Sequence, residues 1–524
     1  MLSEDYKDYY LGTGLRLLAR SSEAPWNGAP PMPGDPLCRP LPRAARPVGS
    51  DHPVAALYDR LLRARFRRLV AATDWSAISV LRLGFCDGED DFPVVVLVVL
   101  NAGAGVDELW ARSLAVRGKE LLEAAATGPD LFELRSAGVP DVEVEIAEAA
   151  PASDWGPETD TVGPLEPCVW ASLRVSAPDR QNRTVESDVS KGIFVDLKAP
   201  FERGGHCAVT CHPIRQGDIP YVYMPGVSQK RPVECPSPDD YARTMAILEV
   251  RERELLRQEA IPHSYRQDIT TAHVAAQRTM ILTSVRRIPD FGYVLRSSGP
   301  TIDAQTGCLL KWTLVEVDPC MGSRAKSSFP WAPALDELFG TANLHRMTEG
   351  AVRTANLQHP NNPDALSAFV FKLGRETGLR CGLLNNVRSD IRSLHPADDD
   401  SGGLVELITA ETVVLDAPMP RPGQGFRWKI SPFSRSGDSG ATVIDFAGAV
   451  VGMLVTPDAP GQWGPVSVVT PVDRLLESIW TTLDEDDPPP KWLAPPRPYA
   501  LREVQEPLRS RSPGVKYYNS NKNK

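Results

Sequence analysis

Ser439 lies in the sequence setting that best suits a nucleophile, because the stretch SGDSG (436–440) precedes the apolar run ATVIDF. Glycines on both sides of the serine permit a tight turn. The backbone of that turn can aim the N–H groups of Gly437 and Ser439 at one oxyanion. A serine hydroxyl attacks a carbonyl only when a base takes its proton and a third group orients that base. The chemistry of this loop therefore depends on what the rest of the chain supplies.

Three stretches resemble one known family. The segment SRSGDSGATVIDFAGAVVGML (434–454) resembles the nucleophile segment of the chymotrypsin-like serine peptidases. FVFKLGRETGLRCGLL (369–384) resembles the strand pair KxGxxTGxTxG that opens the second barrel of trypsin-like proteins, especially intracellular fungal ones. FGYVLRSSGPTIDAQTGCLLKWTLVEVD (291–318) is similar to a family segment that ends in LDWALIEV. The resemblance covers roughly residues 160 to 480 and implies a two-barrel fold with Ser439 as the nucleophile.

Two of the three triad positions carry other residues in this comparison. GGHCAVTCHPI (204–214) resembles GxxCALTCxHVV, which places Pro213 at the histidine position and His212 one residue early. Lys311 stands where the family has its aspartate. Proline has no proton to exchange, and a side chain displaced by one position on a strand points the other way. The resemblance therefore implies a peptidase fold that has lost its base and its orienting acid.

Three rearrangements would restore a base. A remodelled loop could bring His212 to Ser439, with Asp318 or a water in place of the acid. The Lys311 amine could act directly if desolvation lowered its pKa, as in Ser-Lys hydrolases. His273, in DITTAHVAAQ, looks like the family's TAAHC, but it follows a polar segment and enters a predicted helix. Unless it has this role, His273 is expected on the face of a helix.

Phe433 lies six residues before Ser439, where the family places the floor of its specificity pocket. An aromatic residue there argues against selection of Lys or Arg and equally fits a pocket filled by protein.

The stretch HCAVTCH (206–212) holds two cysteines and two histidines, residue types that bind zinc. In an extended strand, Cys207 and Cys211 stand roughly 13 Å apart, which is too far to share one ion. We expect core cysteines and neither a metal nor another cofactor.

The pattern of secondary structure around these residues predicts a mainly β protein. We expect two antiparallel barrels of the chymotrypsin-like type with an inserted helical hairpin, and a small α/β domain before them. The α/β domain is indicated by segments in the order helix, strand, strand, helix, strand, and the barrels by many short strands with glycine turns. Proline-rich ends predict disorder, since they bury little apolar area. The predicted ranges are disorder at 1–52, the α/β domain at 53–150, a linker with one strand at 151–190, the first barrel at 191–335 with the hairpin at 238–287, the second barrel at 336–483 with a closing helix, and disorder at 484–524.

Composition argues against several classes of function. The chain has 524 residues, of which 42% are hydrophobic and 24% charged, and its net charge is -10 with basic residues interleaved among acidic ones. This pattern offers no basic face for nucleic acid. The longest apolar run, FPVVVLVVL, is about half of what a membrane-spanning helix needs, and no export signal is visible at the N-terminus. Nine cysteines without a CxxC pair fit a reducing compartment. We therefore expect a cytoplasmic protein that binds neither membranes nor nucleic acid.

Two functions follow from the sequence. The first is a pseudo-peptidase of the trypsin-like fold that binds a peptide or protein without cleaving it. The second is an active serine hydrolase or endopeptidase that uses Ser439 with His212, His273 or Lys311 as a rearranged base.

Overall fold

The protein is mainly β and is built from several sheets. The computed structural model describes these residues: 15–22, 43–50, 52–85, 92–127, 141–149, 172–178, 184–190, 192–196, 206–211, 221–224, 230–259, 288–318, 369–396, 404–416, 418–420, 428–430, 432–445, 450–456, 463–483 and 491–492.

The strands of the N-terminal part and of the first barrel range are β1 (Leu15–Arg20), β2 (Arg43–Arg46), β3 (Trp75–Phe85), β4 (Val94–Leu100), β5 (Glu143–Ala149), β6 (Ser172–Pro178), β7 (Thr184–Ser190), β8 (Ile193–Asp196), β9 (His206–Cys211), β10 (Tyr221–Val222), β11 (Pro232–Cys235), β12 (Ile288–Ser297), β13 (Thr301–Ile302), β14 (Leu309–Leu310) and β15 (Trp312–Val317). The later strands are β16 (Phe369–Gly374), β17 (Gly378–Leu384), β18 (Ser389–Pro396), β19 (Leu404–Asp416), β20 (Pro418–Pro420), β21 (Trp428–Ile430), β22 (Thr442–Asp445), β23 (Val450–Val455), β24 (Val466–Pro471) and β25 (Lys491–Trp492). The helices are α1 (Pro53–Leu57), a π-helical turn (Tyr58–Leu62), α2 (Arg63–Val70), α3 (Glu108–Thr127), α4 (Pro238–Glu259) and α5 (Val472–Leu483).

The N-terminal part is a sheet with helices on one face. Its central strand β4 is buried at every residue, as expected for the unbroken apolar sequence VVVLVVL. Helix α3 connects β4 to the parallel strand β5. The helices pack on one face through Phe66 and Leu114, which share a core with β4. The elements from α1 to β5 occur in the order helix, strand, strand, helix, strand.

This N-terminal sheet continues directly into the C-terminal part of the chain. Ala77 and Ile78 of β3 pair with Ile391 and Asp390 of β18, and β18 forms a hairpin with β19. The opposite face of the sheet contributes Leu97 to a core that also contains residues of the later strands. The N-terminal part is therefore built into the rest of the protein by backbone hydrogen bonds and by a shared core.

Six C-terminal strands close into a ring. In order around it, each strand pairs with the next: β16, β17, β19, β24, β23 and β22, and β22 pairs again with β16. All six pairings are antiparallel. Alternate side chains of these strands, such as Val370, Val414 and Val443, form a separate small core together with Phe433. The ring is thus a filled antiparallel barrel.

A second sheet packs against this barrel. Among the described strands its order is β25, β8, β9, β15, β12, β11, β6, β7, with β10 added to β12. Its apolar face, which includes Trp312, belongs to the same core as Phe371 of the barrel and Leu475 of α5. The ends of β7 and β9 thereby come to lie beside the barrel strands that carry the serine loop.

Several predicted boundaries shift. Two strands, β6 and β7, occupy the range predicted as a linker with one strand, and they form a hairpin whose polar faces are joined by Arg174 and Asp188. Strands β1 and β2 lie in the N-terminal range predicted as disordered, and β25 lies in the C-terminal one. Each of these strands extends an existing sheet edge, a source of order that composition does not reveal. Helix α4 forms the first half of the predicted hairpin, and the second half lies outside the described residues.

No helix in the described part of the chain is long and apolar enough to cross a membrane.

Asp390 anchors the junction between the helices and β18. Its buried carboxylate accepts hydrogen bonds from Tyr58 at 2.8 Å, from Arg67 at 2.6 Å and from Arg63. We expect Asp390→Ala to lower the free energy of unfolding by about 3 to 5 kcal/mol, because it removes a fully buried anion from the partly buried Arg63 and Arg67 and leaves the buried Tyr58 hydroxyl without its acceptor. Urea unfolding measures this loss. The control Glu406→Gln, which removes a half-exposed carboxylate from the neighbouring strand, should cost less than about 1 kcal/mol. Equal losses for the two variants would contradict the anchoring role.

Candidate active site

The Ser439 turn requires its glycines. Gly437 has φ +97° and Gly440 has φ +95°, a region that side chains disfavour. A Cβ on Gly440 would lie 2.6 Å from the Ser190 carbonyl oxygen and 3.0 Å from the Cys211 nitrogen. The turn therefore presses against the ends of β7 and β9. Within the described residues, the N–H groups of Gly437 and Ser439 donate no backbone hydrogen bond.

Asp438 fixes the turn from inside the barrel. Its Oδ2 accepts hydrogen bonds from Lys372 Nζ at 2.7 Å, the Thr377 hydroxyl at 2.6 Å and the Arg435 N–H at 3.0 Å. Its Oδ1 accepts the N–H groups of Glu376 at 2.7 Å and Thr377 at 3.2 Å. Burial would raise the pKa of Asp438, but the Lys372 ammonium and the hydrogen bonds outweigh it and hold that pKa below its ordinary value. Asp438 is therefore ionised and fully partnered.

The local sequence explains why a lysine occurs inside the barrel. Along β16, KLG continues an alternation in which Phe371 and Leu373 face the large core, while Val370 faces the barrel interior. Lys372 therefore points inward, where it is fully buried. The turn from Gly374 to Gly378 then folds back over Asp438.

A chain of ion pairs connects this turn to α4. Arg375 pairs with Asp240 in the first turn of the helix and, at 3.4 Å, with Asp188 of β7. Arg243 of the same helix reaches Glu376 at 3.3 Å. Arg375 and Glu376 thereby connect α4 to the turn whose backbone N–H groups donate to Asp438.

The Ser439 hydroxyl is engaged by Thr456. Its Oγ lies 2.6 Å from Thr456 Oγ1 and accepts the Thr456 N–H at 3.0 Å. The Ser439 carbonyl accepts the Ser190 N–H at 2.9 Å, and the Ser190 hydroxyl donates to the Gly437 carbonyl at 3.3 Å. Thr456 follows β23, the barrel strand beside the turn. It is a site residue that the sequence motifs do not mark.

The candidate bases fall into two groups. His212 and His273 lie outside the described residues, as does Pro213 at the position of the family's histidine. Lys311 is buried and directly precedes Trp312, whose register partner is Cys211 at the end of β9. Lys311 and the Ser439 turn therefore approach the same strand end. The described partner of the Ser439 hydroxyl is Thr456 rather than Lys311.

Phe433 is fully buried inside the barrel. Its ring packs among apolar side chains, and Lys372 Nζ lies 5.9 Å from the ring centroid. Its N–H donates to Asp416 Oδ1 at 2.7 Å. The position that the family resemblance assigns to a pocket floor thus holds an aromatic core residue.

The cysteines of β9, Cys207 and Cys211, are buried in the core, as is Cys381 of β17. Across the described ranges, no group of three or more His, Cys, Asp or Glu residues is arranged to hold a metal ion.

No protein-family model matches this chain, and no curated protein sequence shows a significant match. The function of the protein is therefore inferred from its motifs and from the geometry around Ser439.

We expect Lys372→Met to lower the free energy of unfolding by about 3 to 5 kcal/mol, because Asp438 would stay buried without its cation. In the double variant Lys372→Met/Asp438→Asn, the unpaired charge is gone, so the loss should fall short of the sum of the two single losses by at least about 1.5 kcal/mol. Urea unfolding of all four proteins gives this coupling. Additive losses would contradict a direct Lys372–Asp438 interaction.

A second expectation concerns pH. Burial raises the pKa of Asp416 to about 7, against the hydrogen bond from the Phe433 N–H, which favours the ionised form. The folded protein keeps this proton at pH values where the unfolded chain has lost it, so stability falls as the pH rises from about 4 to about 7. Asp416→Asn has no carboxyl group to titrate at this position. We therefore expect the free energy of unfolding of this variant to fall less steeply with pH than that of the wild type, by about 1.4 kcal/mol for each pH unit. Unfolding at pH 4.5, 6 and 8 measures it.

The control for this expectation is Glu406→Gln, which makes the same charge change at a half-exposed position. Its pH dependence should match that of the wild type, whereas the Asp416→Asn curve should be flatter. Parallel curves for all three proteins would contradict the protonation of Asp416.

Proposed function

We propose that the protein is a pseudo-peptidase: a chymotrypsin-like two-barrel scaffold that binds a peptide or protein partner without cleaving it. The observation that carries this proposal is the hydrogen bonding of Ser439 Oγ, which accepts the Thr456 N–H and pairs with the Thr456 hydroxyl. A threonine is no base at neutral pH, so this contact does not activate the serine.

The fold supports the proposal through the ring of six antiparallel strands and the sheet packed against it. Both features are expected of a two-barrel peptidase, and the glycine turn stands where the two meet. The turn is also stabilised independently of catalysis. Asp438 accepts five hydrogen bonds from Lys372, Glu376, Thr377 and Arg435. A loop with such internal support keeps its shape after the triad has been lost.

The filled barrel interior bears on the kind of partner. Because Phe433 occupies the pocket position with all of its side chain buried, a partner peptide gains little there from inserting a long basic side chain. Binding then relies on the backbone and on shallow contacts beside the turn.

An active serine hydrolase is the alternative, and the position of Lys311 favours it. Lys311 is buried beside Trp312 at the strand end that the serine turn approaches. In Ser-Lys hydrolases an amine takes the proton of the serine hydroxyl directly. In this alternative, the Ser439 hydroxyl must leave Thr456 and turn toward the amine.

A fluorophosphonate probe tests the two functions. We expect wild-type protein to be labelled at Ser439 at least about 10⁴ times more slowly than a working serine hydrolase treated in parallel, as expected when the base is missing. Ser439→Ala should be labelled by the probe as slowly as the wild type. Intact mass measurement over time gives the rates.

Lys311→Met and Thr456→Val serve as matched variants. Rapid wild-type labelling that Ser439→Ala abolishes would refute the pseudo-peptidase. Loss of that labelling in Lys311→Met as well would establish the alternative. Thr456→Val removes the contact between the two hydroxyls, keeps the backbone N–H at this position and supplies no base, so it should leave the slow rate unchanged.

A further inference from the structure

Two tyrosines form a corner on the surface of the second sheet, at a place unrelated to Ser439. Tyr223 follows β10, and Tyr293 lies on β12. Their ring centroids are 5.0 Å apart, and the rings meet at 66°. Both rings pack on the core with one side and are partly exposed on the other.

The exposed Lys230 places its ammonium group in this corner. Lys230 Nζ lies 4.2 Å from the Tyr293 ring centroid and 5.6 Å from that of Tyr223. Next to it, the Arg231 guanidinium stacks 3.9 Å from the ring of Tyr221. The tyrosine faces are thus a surface on which cations are held by the negative charge of the rings.

A buried carboxylate strengthens the corner. Glu316 lies on β15, directly opposite Tyr293 in the register, and its Oε2 accepts the Tyr293 hydroxyl. The residue is only 4% exposed, and its buried Oε1 has no hydrogen-bond partner among the residues that the structure describes. A phenol that donates to a carboxylate has a more electron-rich ring. The carboxylate at the hydroxyl edge of the ring also attracts a positive charge held against the ring face.

Lysine is a weak occupant of such a site. Its ammonium is compact and strongly hydrated, and a cation–π contact at an exposed position contributes only about 0.5 to 1 kcal/mol. A quaternary ammonium group gives up less hydration and covers both rings at once. It can therefore replace Lys230, whose flexible stem swings into solvent.

From these contacts we infer that the Tyr223–Tyr293 corner is a binding site for a quaternary ammonium group, which Lys230 fills until the ligand displaces it. The group comes either from a small choline-like molecule or from a trimethylated lysine of a protein. This inference is independent of the function proposed for Ser439.

The test uses the full-length protein with ¹³C-labelled tyrosine rings and tetramethylammonium chloride as the probe. We expect saturable shifts of the Tyr223 and Tyr293 ring signals in the NMR spectrum. Lys230→Met removes the competing ammonium and keeps the aliphatic stem, so it should lower the dissociation constant about two- to fivefold. Tyr223→Leu should raise it by at least about the same factor.

Controls separate this site from general charge effects. Arg253→Met removes an exposed positive charge from α4 and should leave the dissociation constant unchanged. The neutral isostere tert-butanol should not shift the tyrosine signals. N-acetyl-trimethyllysine amide distinguishes the sources: tighter binding than tetramethylammonium indicates a protein side chain, and equal binding indicates a small cation. No shift in Lys230→Met, or equal shifts with tert-butanol, would overturn the inference.

Discussion

The buried ion pair between Lys372 and Asp438 is the interaction on which the architecture of the candidate site depends. It joins the first strand of the barrel to the turn that carries Ser439, and both side chains are fully buried. Two charges inside a barrel are expensive to desolvate, so they persist only with a complete set of partners. The remaining partners of Asp438 are the backbone N–H groups of Glu376, Thr377 and Arg435 and the Thr377 hydroxyl. The shape of the serine turn is consequently determined by the barrel interior.

Under the proposed pseudo-peptidase function, this dependence explains why the SGDSG turn would be retained without catalysis. The glycines, Asp438 and Lys372 are required for packing, because side chains at Gly440 would collide with Ser190 and Cys211. A triad residue, by contrast, contributes to chemistry and little to the core. In this proposal, Pro213 and Lys311 stand at the triad positions at little cost to the core, while the SGDSG turn is retained. A motif retained for stability is weak evidence of activity unless a base accompanies it.

Part of this arrangement could be predicted from the sequence. Period-two alternation and glycine turns predict strands such as β16 and β17, and the unbroken apolar run of β4 predicts a buried strand. The continuation of β3 into β18 could not be predicted, because the pairing residues are separated by more than half of the chain and share no local signal. The engagement of Ser439 by Thr456 also escapes the motifs, since it depends on how β23 ends beside the turn. In the sequence, the inward orientation of Lys372 is indicated only by its position in the alternating pattern of β16.

The pairing of β3 with β18 has a consequence for how the chain folds during synthesis. Ala77 and Ile78 leave the ribosome long before Ile391 and Asp390, so this stretch of β3 stays an open edge while most of the protein is made. Contacts so distant in sequence form slowly, and open edges invite wrong pairing. In the finished structure the arginines of α2 that bind Asp390 lie beside that edge, and positive charge near an open edge discourages pairing with other chains. The same residues that stabilise the finished junction thus protect the unfinished one from association.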